Sequence, residues 1–226
     1  TTIFIERFTN PLDNQIVELH RWPLVGHVLV FTFTTFWIMG MMNTINWLDG
    51  LDGLAVGVGA IAAILFAVHM RSLGQPQIAI YALALAGACL GFLPFNFSPA
   101  RVFLGSAGAM VLGYALATLS ILAPARVATA LLVMAVPITD TAWQIFDRRR
   151  HGLSIFRADR GHLHFRLVDL GLHPRTIVIA YWVFCALFGV LSLLLVSRLY
   201  KLVALGLLVT VVVGILALLS ARQSRD

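Results

Sequence analysis

The sequence predicts an all-α polytopic membrane protein with about seven spanning helices and a small outer-face β-hairpin at its N-terminus. Three observations lead there. First, 60% of the 226 residues are hydrophobic and only 12% are charged, with a mean hydropathy of +0.91. A soluble domain is roughly half apolar and about a quarter charged, so lipid has to solvate much of this surface. Second, the apolar residues form long continuous runs, close to the roughly 20 residues that carry a helix across a bilayer. A membrane β-barrel would alternate instead. Third, the polar residues collect in a few islands between the runs.

The runs fall at about 24–42, 54–70, 78–95, 107–123, 127–146, 176–197 and 202–221. Within hydrocarbon the backbone must satisfy its own N–H and C=O groups, which selects helices. The connectors after the third and fifth runs are long and polar, whereas those at Arg71–Pro76 and Ala123–Arg126 are tight. Ahead of the first run, Thr1-Thr2-Ile3-Phe4-Ile5 is strand-like, Asn10-Pro11-Leu12-Asp13-Asn14 has turn chemistry, and Ile16-Val17-Glu18-Leu19 supplies a returning strand. Residues 1–226 then read as one transmembrane domain. Residues 1–23 form the hairpin, and 43–53, 95–108 and 147–175 form polar loops on one side. The chain opens on Thr1 without a signal peptide, so the expectation is the C-terminal part of a larger helical bundle whose N-terminal spans are missing.

Orientation follows from charge. Ten arginines sit on the side carrying the three polar loops, and six Lys or Arg sit on the other. The positive-inside rule makes the loop side cytoplasmic. The net charge of +6 does not imply nucleic-acid binding, because the basic residues form no soluble basic face. Cys89 and Cys185 lie inside apolar runs and read as small buried hydrophobes, not as a disulfide or zinc site.

The first island is Asn43-Thr44-Ile45-Asn46-Trp47-Leu48-Asp49-Gly50-Leu51-Asp52-Gly53. On a helix, Asn43, Asn46 and Asp49 share one side. Two carboxylates and two amides at a span end suit a Mg²⁺–diphosphate site, since Mg²⁺ takes oxygen ligands and often only one or two from protein. The competing reading is a polar helix end with a glycine cap. The second island, Phe95 to Gly108, mixes aromatics with Asn96, Arg101 and glycines. Aromatic faces stack on bases and arginine suits phosphate, while an interfacial anchor explains the same phenylalanines. The third island, from Asp147 to Arg175, holds Arg148-Arg149-Arg150-His151 and Asp159-Arg160-Gly161-His162-Leu163-His164-Phe165-Arg166. The triple arginine reads as a topology and lipid-headgroup signal. The His-x-His pair, flanked by Arg160 and Arg166, reads as a phosphate-binding pair or as a structural one. Asp140, behind Pro137 in the fifth run, is an intramembrane acid for which functional and structural readings both stay open.

Together the islands resemble the polyprenyl-phosphate N-acetylhexosamine-1-phosphate transferase family, glycosyltransferase family 4. Its relatives include the phospho-N-acetylmuramoyl-pentapeptide transferase and enzymes that start cell-wall, lipopolysaccharide and teichoic acid glycans. The resemblance rests on Asn43-x-x-Asn46-x-x-Asp49-Gly50-x-Asp52-Gly53-Leu54-Ala55, on Phe95-Asn96-x-x-Pro99-Ala100-x-x-Phe103-x-Gly105, and on Asp159-x-x-His162-x-His164. It implies a Mg²⁺ cofactor (with Mn²⁺ as a substitute), a UDP-N-acetylhexosamine donor such as UDP-GlcNAc, an undecaprenyl or similar polyprenyl phosphate acceptor, and release of UMP. It also implies a multi-pass protein of the bacterial plasma membrane, dimeric, with its cleft facing the cytoplasm. By match, Asn46 and Asp49 lie near the metal, and Asp49 and His164 are the catalytic pair. Asn43, Gly50, Leu51, Asp52 and Asn96 bind the donor, Phe103 stacks on uracil, and Arg160 and His162 meet phosphates or sugar.

Two positions and one motif depart from the family pattern. Ser106 stands where the family has an acidic metal ligand, Phe165 stands where many relatives have histidine, and the family's paired-aspartate motif has no counterpart here. A hydroxyl is a poor replacement for a carboxylate on Mg²⁺, so an inactive chain is one expectation. The alternatives in other classes are a transporter of lipid-linked sugars and a membrane scaffold without catalysis.

Overall fold

A computed structural model describes residues 4–9, 15–19, 22, 24–122, 127–152, 161–195 and 197–223. A short antiparallel ribbon, β1 (Arg7–Thr9) and β2 (Ile16–Glu18), pairs Phe8 with Val17 and leads into α1 (Val25–Leu48). There follow α2 (Leu54–Ser72), α3 (Pro76–Asn96), α4 (Gly105–Leu122), α5 (Val127–Val133), α6 (Ala135–Arg150), α7 (Leu163–Asp169), α8 (Pro174–Leu194) and α9 (Arg198–Gln223).

The hairpin exists, but its first strand lies later than expected. The backbone N–H of Ile5 is spent on Thr34 Oγ1 of α1 at 2.9 Å, which docks that stretch on the helix. Pairing then starts at Arg7. Leu19 N–H closes the ribbon onto Glu6 O. Residues 1–3 and the turn at 10–14 lie outside the described residues.

Among the described residues six helices are long and apolar enough to span a bilayer: α1, α2, α3, α4, α8 and most of α9. The fifth expected span is instead the kinked pair α5–α6. Pro137 has no N–H and its ring crowds the carbonyl four residues back, which breaks an α-helix just upstream. The break falls at Met134, where the ladder stays partly intact: Met134 N–H reaches Ala130 O and Ile138 N–H reaches Met134 O. The lower half, α6, is also more polar than a span, because it carries Asp140, Gln144, Asp147 and three arginines.

The core centres on α2, which is buried over 72% of its span against 17–39% for the others. Small residues allow this. A Cβ on Gly57 would enter the Trp182 indole of α8, and one on Gly59 would lie 2.8 Å from Leu112 of α4. Gly113 brings α4 against the backbone of Met41 and Met42 in α1. Without a hydrophobic force between helices in lipid, close packing of this kind and buried hydrogen bonds hold the bundle. Trp37 Nε1 donates to Ser120 Oγ at 2.8 Å between α1 and α4, and Ser192 Oγ to Thr129 Oγ1 at 3.1 Å between α8 and α5. Cys89 and Cys185 are buried and free. Up–down alternation puts the hairpin at one end of the bundle. The C-terminal ends of α1, α3, α6 and α9 lie at the other, with the N-terminal ends of α2, α4 and α8.

Candidate active site

At that second end the three polar islands meet. α1 runs on through Asn43 and Asn46 and stops at Asp49, whose N–H bonds Ile45 O. The chain turns through Gly50 and Leu51, and α2 opens at Gly53. Gly53 has φ +82, a backbone region that a side chain rarely tolerates. Its N–H donates to Asn96 Oδ1 at 3.1 Å, while Asn96 Nδ2 donates to Val102 O at 3.0 Å. Asp52 Oδ2 accepts from Ala100 N–H at 3.0 Å. Asn96 and Asp52 thus staple the first island to the second through backbone groups. Asn96 is buried, with both ends of its amide occupied. The second island is also held from α8, where Arg175 Nε donates to Ser98 O at 3.0 Å.

Asp49 sits at the N-terminus of α4, its carboxylate accepting from Gly105 N–H. Free N–H groups and the helix dipole favour an anion there. Burial and the neighbouring Asp52 charge outweigh that hydrogen bond and raise the Asp49 carboxyl from 3.8 to about 6. A carboxylate so crowded is one that a cation relieves. Asn46 lies one turn back on α1, and Ser106 is exposed in the first turn of α4. Among the described residues no three His, Cys, Asp or Glu side chains gather into a metal cage. Asp49 with Asp52 beside it, and the neutral side chains of Asn46 and Ser106 at the adjoining helix ends, fit an ion that leaves most of its sites to water and phosphate, as Mg²⁺ does. Phe103, 75% exposed, and the exposed Arg101 stand at the rim of the second island. Asn43 Nδ2 bonds Met39 O of its own helix.

The third island reaches the first through α7. His162 caps that helix and His164 lies in its first turn. The two imidazoles stack with centroids 5.7 Å apart, and the His162 ring lies 5.7 Å from that of Trp47 on α1. A Cβ on Gly50 would strike His164 Nε2 and lie 2.7 Å from Phe165 Cζ. Gly50 is therefore the close-approach point between the islands. His164 is fully buried, and among the described residues neither ring nitrogen has a hydrogen-bond partner. Burial, only partly offset by Asp140, lowers it from 6.5 to about 4, so it is neutral near pH 7.

Asp140, open between function and structure by sequence, gains defined partners, Gln144 emerges as a further residue of the site, and one expectation is corrected. Arg166 was expected to flank a phosphate. It is 4% exposed and spent on the fold: Nε donates to Gly161 O, a terminal nitrogen donates to Ser220 Oγ of α9 at 2.7 Å, and the other lies 3.9 Å from Asp147. A guanidinium buried this deeply needs fixed partners, and the helix packing supplies them. Arg160, with Asp159, lies outside the described residues. Asp140 and Gln144 reach the third island from α6. Asp140 Oδ1 accepts from Leu163 N–H at 2.9 Å, Oδ2 lies 3.0 Å from His162 Nδ1, and Gln144 Nε2 donates to Gly161 O. The available signal was spacing: Asp140, Gln144 and Asp147 recur at helical intervals on the polar half of a broken span.

The fold and this site define a multi-pass helical membrane protein with a carboxylate, amide and histidine cluster at one end of the bundle. Comparison with known proteins gives the family. Residues 2–124 match the glycosyl transferase family 4 profile, and the chain belongs to that family. Over 175 residues it is 31% identical to a protein of Bacillus subtilis named as a probable undecaprenyl-phosphate N-acetylglucosaminyl 1-phosphate transferase, covering 75% of this chain and 49% of that one. Over 166 residues it is 39% identical to the decaprenyl-phosphate N-acetylglucosaminephosphotransferase of Mycobacterium tuberculosis, covering 62% and 41%. A phospho-N-acetylmuramoyl-pentapeptide-transferase of Moorella thermoacetica is 33% identical over 147 residues, covering 64% and 45%. The chain spans about half the length of these relatives or slightly less.

Proposed function

We propose that the protein to which this chain belongs transfers a sugar-1-phosphate from a UDP-sugar, UDP-GlcNAc by preference, to a polyprenyl phosphate at the cytoplasmic face of a bacterial plasma membrane. The observation that carries this reading is the meeting of the three islands. Asp49, at the start of α4, shares one turn with Gly50, against which His164 packs. The names of the relatives agree with it. Phosphoryl transfer is chiefly positioning and charge neutralisation, and a lipid acceptor requires the site at the membrane surface.

In the reaction a phosphate oxygen of the acceptor attacks the β-phosphorus of the donor. The bond from that phosphorus to the bridging oxygen breaks, and UMP leaves with the oxygen. Asn46 and Asp49 would hold Mg²⁺, which when bound neutralises charge on the diphosphate. Phe103 offers an exposed face for uracil, and the Asn96 and Asp52 staples hold the loop carrying it. His162 presents an imidazole toward the anionic donor. Ser106 contributes no charge, which favours a second reading in which the natural protein turns over slowly or only binds.

The test is UMP release by full-length protein in nanodiscs with UDP-GlcNAc, decaprenyl phosphate and Mg²⁺. We expect release that needs all three, a higher rate for Ser106→Asp, and none for Asp49→Asn. Absence of UMP from the natural protein and from Ser106→Asp, across a panel of UDP-sugars, rejects the assignment. UDP-sugar binding without UMP release in the natural protein, with release restored in Ser106→Asp, selects the second reading.

A further inference from the structure

The strongest unassigned feature is the ridge Asp140–Gln144–Asp147 on α6, which grips the His-x-His element at successive turns. Asp140 is 3% exposed, in the second turn of α6. An acid buried there is costly unless its oxygens are occupied, and both are. Oδ1 takes the N–H of Leu163, one of the orphan donors at the start of α7. Oδ2 takes His162 Nδ1. One turn on, Gln144 holds Gly161 O, the residue just before His162. Another turn on, Asp147 lies beside Arg166, which itself bonds Gly161 O. Three side chains from one helix face therefore determine where the backbone of 161–163 runs and which way the His162 ring is turned.

We propose that Asp140 is a positioning residue: it locks His162 in the Nδ1–H form, leaving Nε2 as the nitrogen that meets the donor's anionic or hydroxyl groups. With Asp140 as a carboxylate, only His162 Nδ1 supplies the proton in that bond, and the partner at one ring nitrogen determines the state of the other. The stacked His164 ring and the Trp47 ring leave the imidazole little freedom to flip. The catalytic meaning of the lock rests on the transferase reading above; the lock itself does not.

The experiment uses full-length protein in nanodiscs with ¹⁵N-histidine, His162 being assigned by difference with His162→Gln. In the natural protein we expect His162 shifts of a protonated, hydrogen-bonded Nδ1; an Nε2–H tautomer with bare Nδ1 overturns the proposal without any Asp140 variant. Asp140→Asn keeps an acceptor for Leu163 N–H but offers an NH₂ to Nδ1, so the tautomer should invert to Nε2–H while the melting curve stays close to natural. Unchanged His162 shifts in that variant overturn the proposal as well. For turnover, Asp140→Asn should cost about 100-fold in kcat/KM, the scale of a small misplacement. Adding it to His162→Gln should change the rate by no more than about twofold, because the two act as one unit. Fully multiplied losses count against positioning through His162. If the natural protein releases no UMP, the transferase reading fails and the tautomer arm still decides the role of Asp140.

Discussion

Gly50→Ala tests whether the islands touch where the geometry puts them. A methyl group there would strike His164 Nε2 and lie 2.7 Å from Phe165 Cζ, where ordinary contact begins at 3.4 Å. The Phe165 ring would have to retreat by about 0.7 Å and the imidazole further, in an interior packed without spare volume. Neither ring is at the loose end of a flexible side chain. Both belong to the first turn of α7, whose N-terminus is pinned by Asp140 and whose far side is pinned by Arg166 to Ser220. Relief therefore needs α7 to move as a body. Overpacking of a tight interior costs about 1–3 kcal/mol, and the pinned helix places this case near 2 kcal/mol. Equilibrium unfolding in mixed micelles should show that loss. UMP release should fall by about 100-fold, since the His-x-His element shifts relative to Asp49. Phe165→Leu in the same chain should recover part of the stability but little of the rate, because the imidazole clash remains. An unfolding free energy for Gly50→Ala within about 0.5 kcal/mol of natural, the range of a neutral surface change, would refute the contact.

Four further outcomes follow from the same site. Asp49 has its carboxyl raised from 3.8 to about 6, so the fold opposes its ionisation. The penalty is absent below about pH 4, grows between there and pH 6, and is complete above. In metal-free buffer Asp49→Asn should therefore be more stable than natural at pH 7.5 and equal to it near pH 4. Two pKa units correspond to about 3 kcal/mol, and screening of this partly exposed group reduces the gain to about 1 kcal/mol; melting curves across pH measure it. His164, lowered from 6.5 to about 4, gives stability that is complete above pH 6.5 and is lost as pH falls toward 4. His164→Leu should flatten that limb of the pH–stability curve. Asn96→Leu should cost about 2–4 kcal/mol in unfolding measurements, because it orphans the Gly53 N–H and the Val102 C=O together; Ser98→Ala, whose carbonyl but not side chain is used by Arg175, should be near neutral.

Much of this protein was determined by residue order alone. Continuous apolar runs have one solution in lipid, so the spanning helices and their alternation could be read from hydropathy and loop chemistry, the fifth run excepted, which breaks into α5 and α6 ahead of Pro137. The first and second islands were legible for a related reason. Asn46, Asp49, Asp52 and Asn96 are polar residues at span ends, where nothing apolar competes to explain them. Tertiary structure decided the rest, because it concerns partners far apart in the chain. Arg166 looks like a phosphate ligand beside two histidines, yet Ser220, 54 residues away, and Asp147 claim it. Asp140 looks like an isolated acid inside a span until α7 folds back to hand it Leu163 N–H and His162 Nδ1. Sequence states which groups can form hydrogen bonds, and a buried group bonds whatever the packing brings within about 3 Å of it. That neighbour list exists only once the helices have crossed and turned.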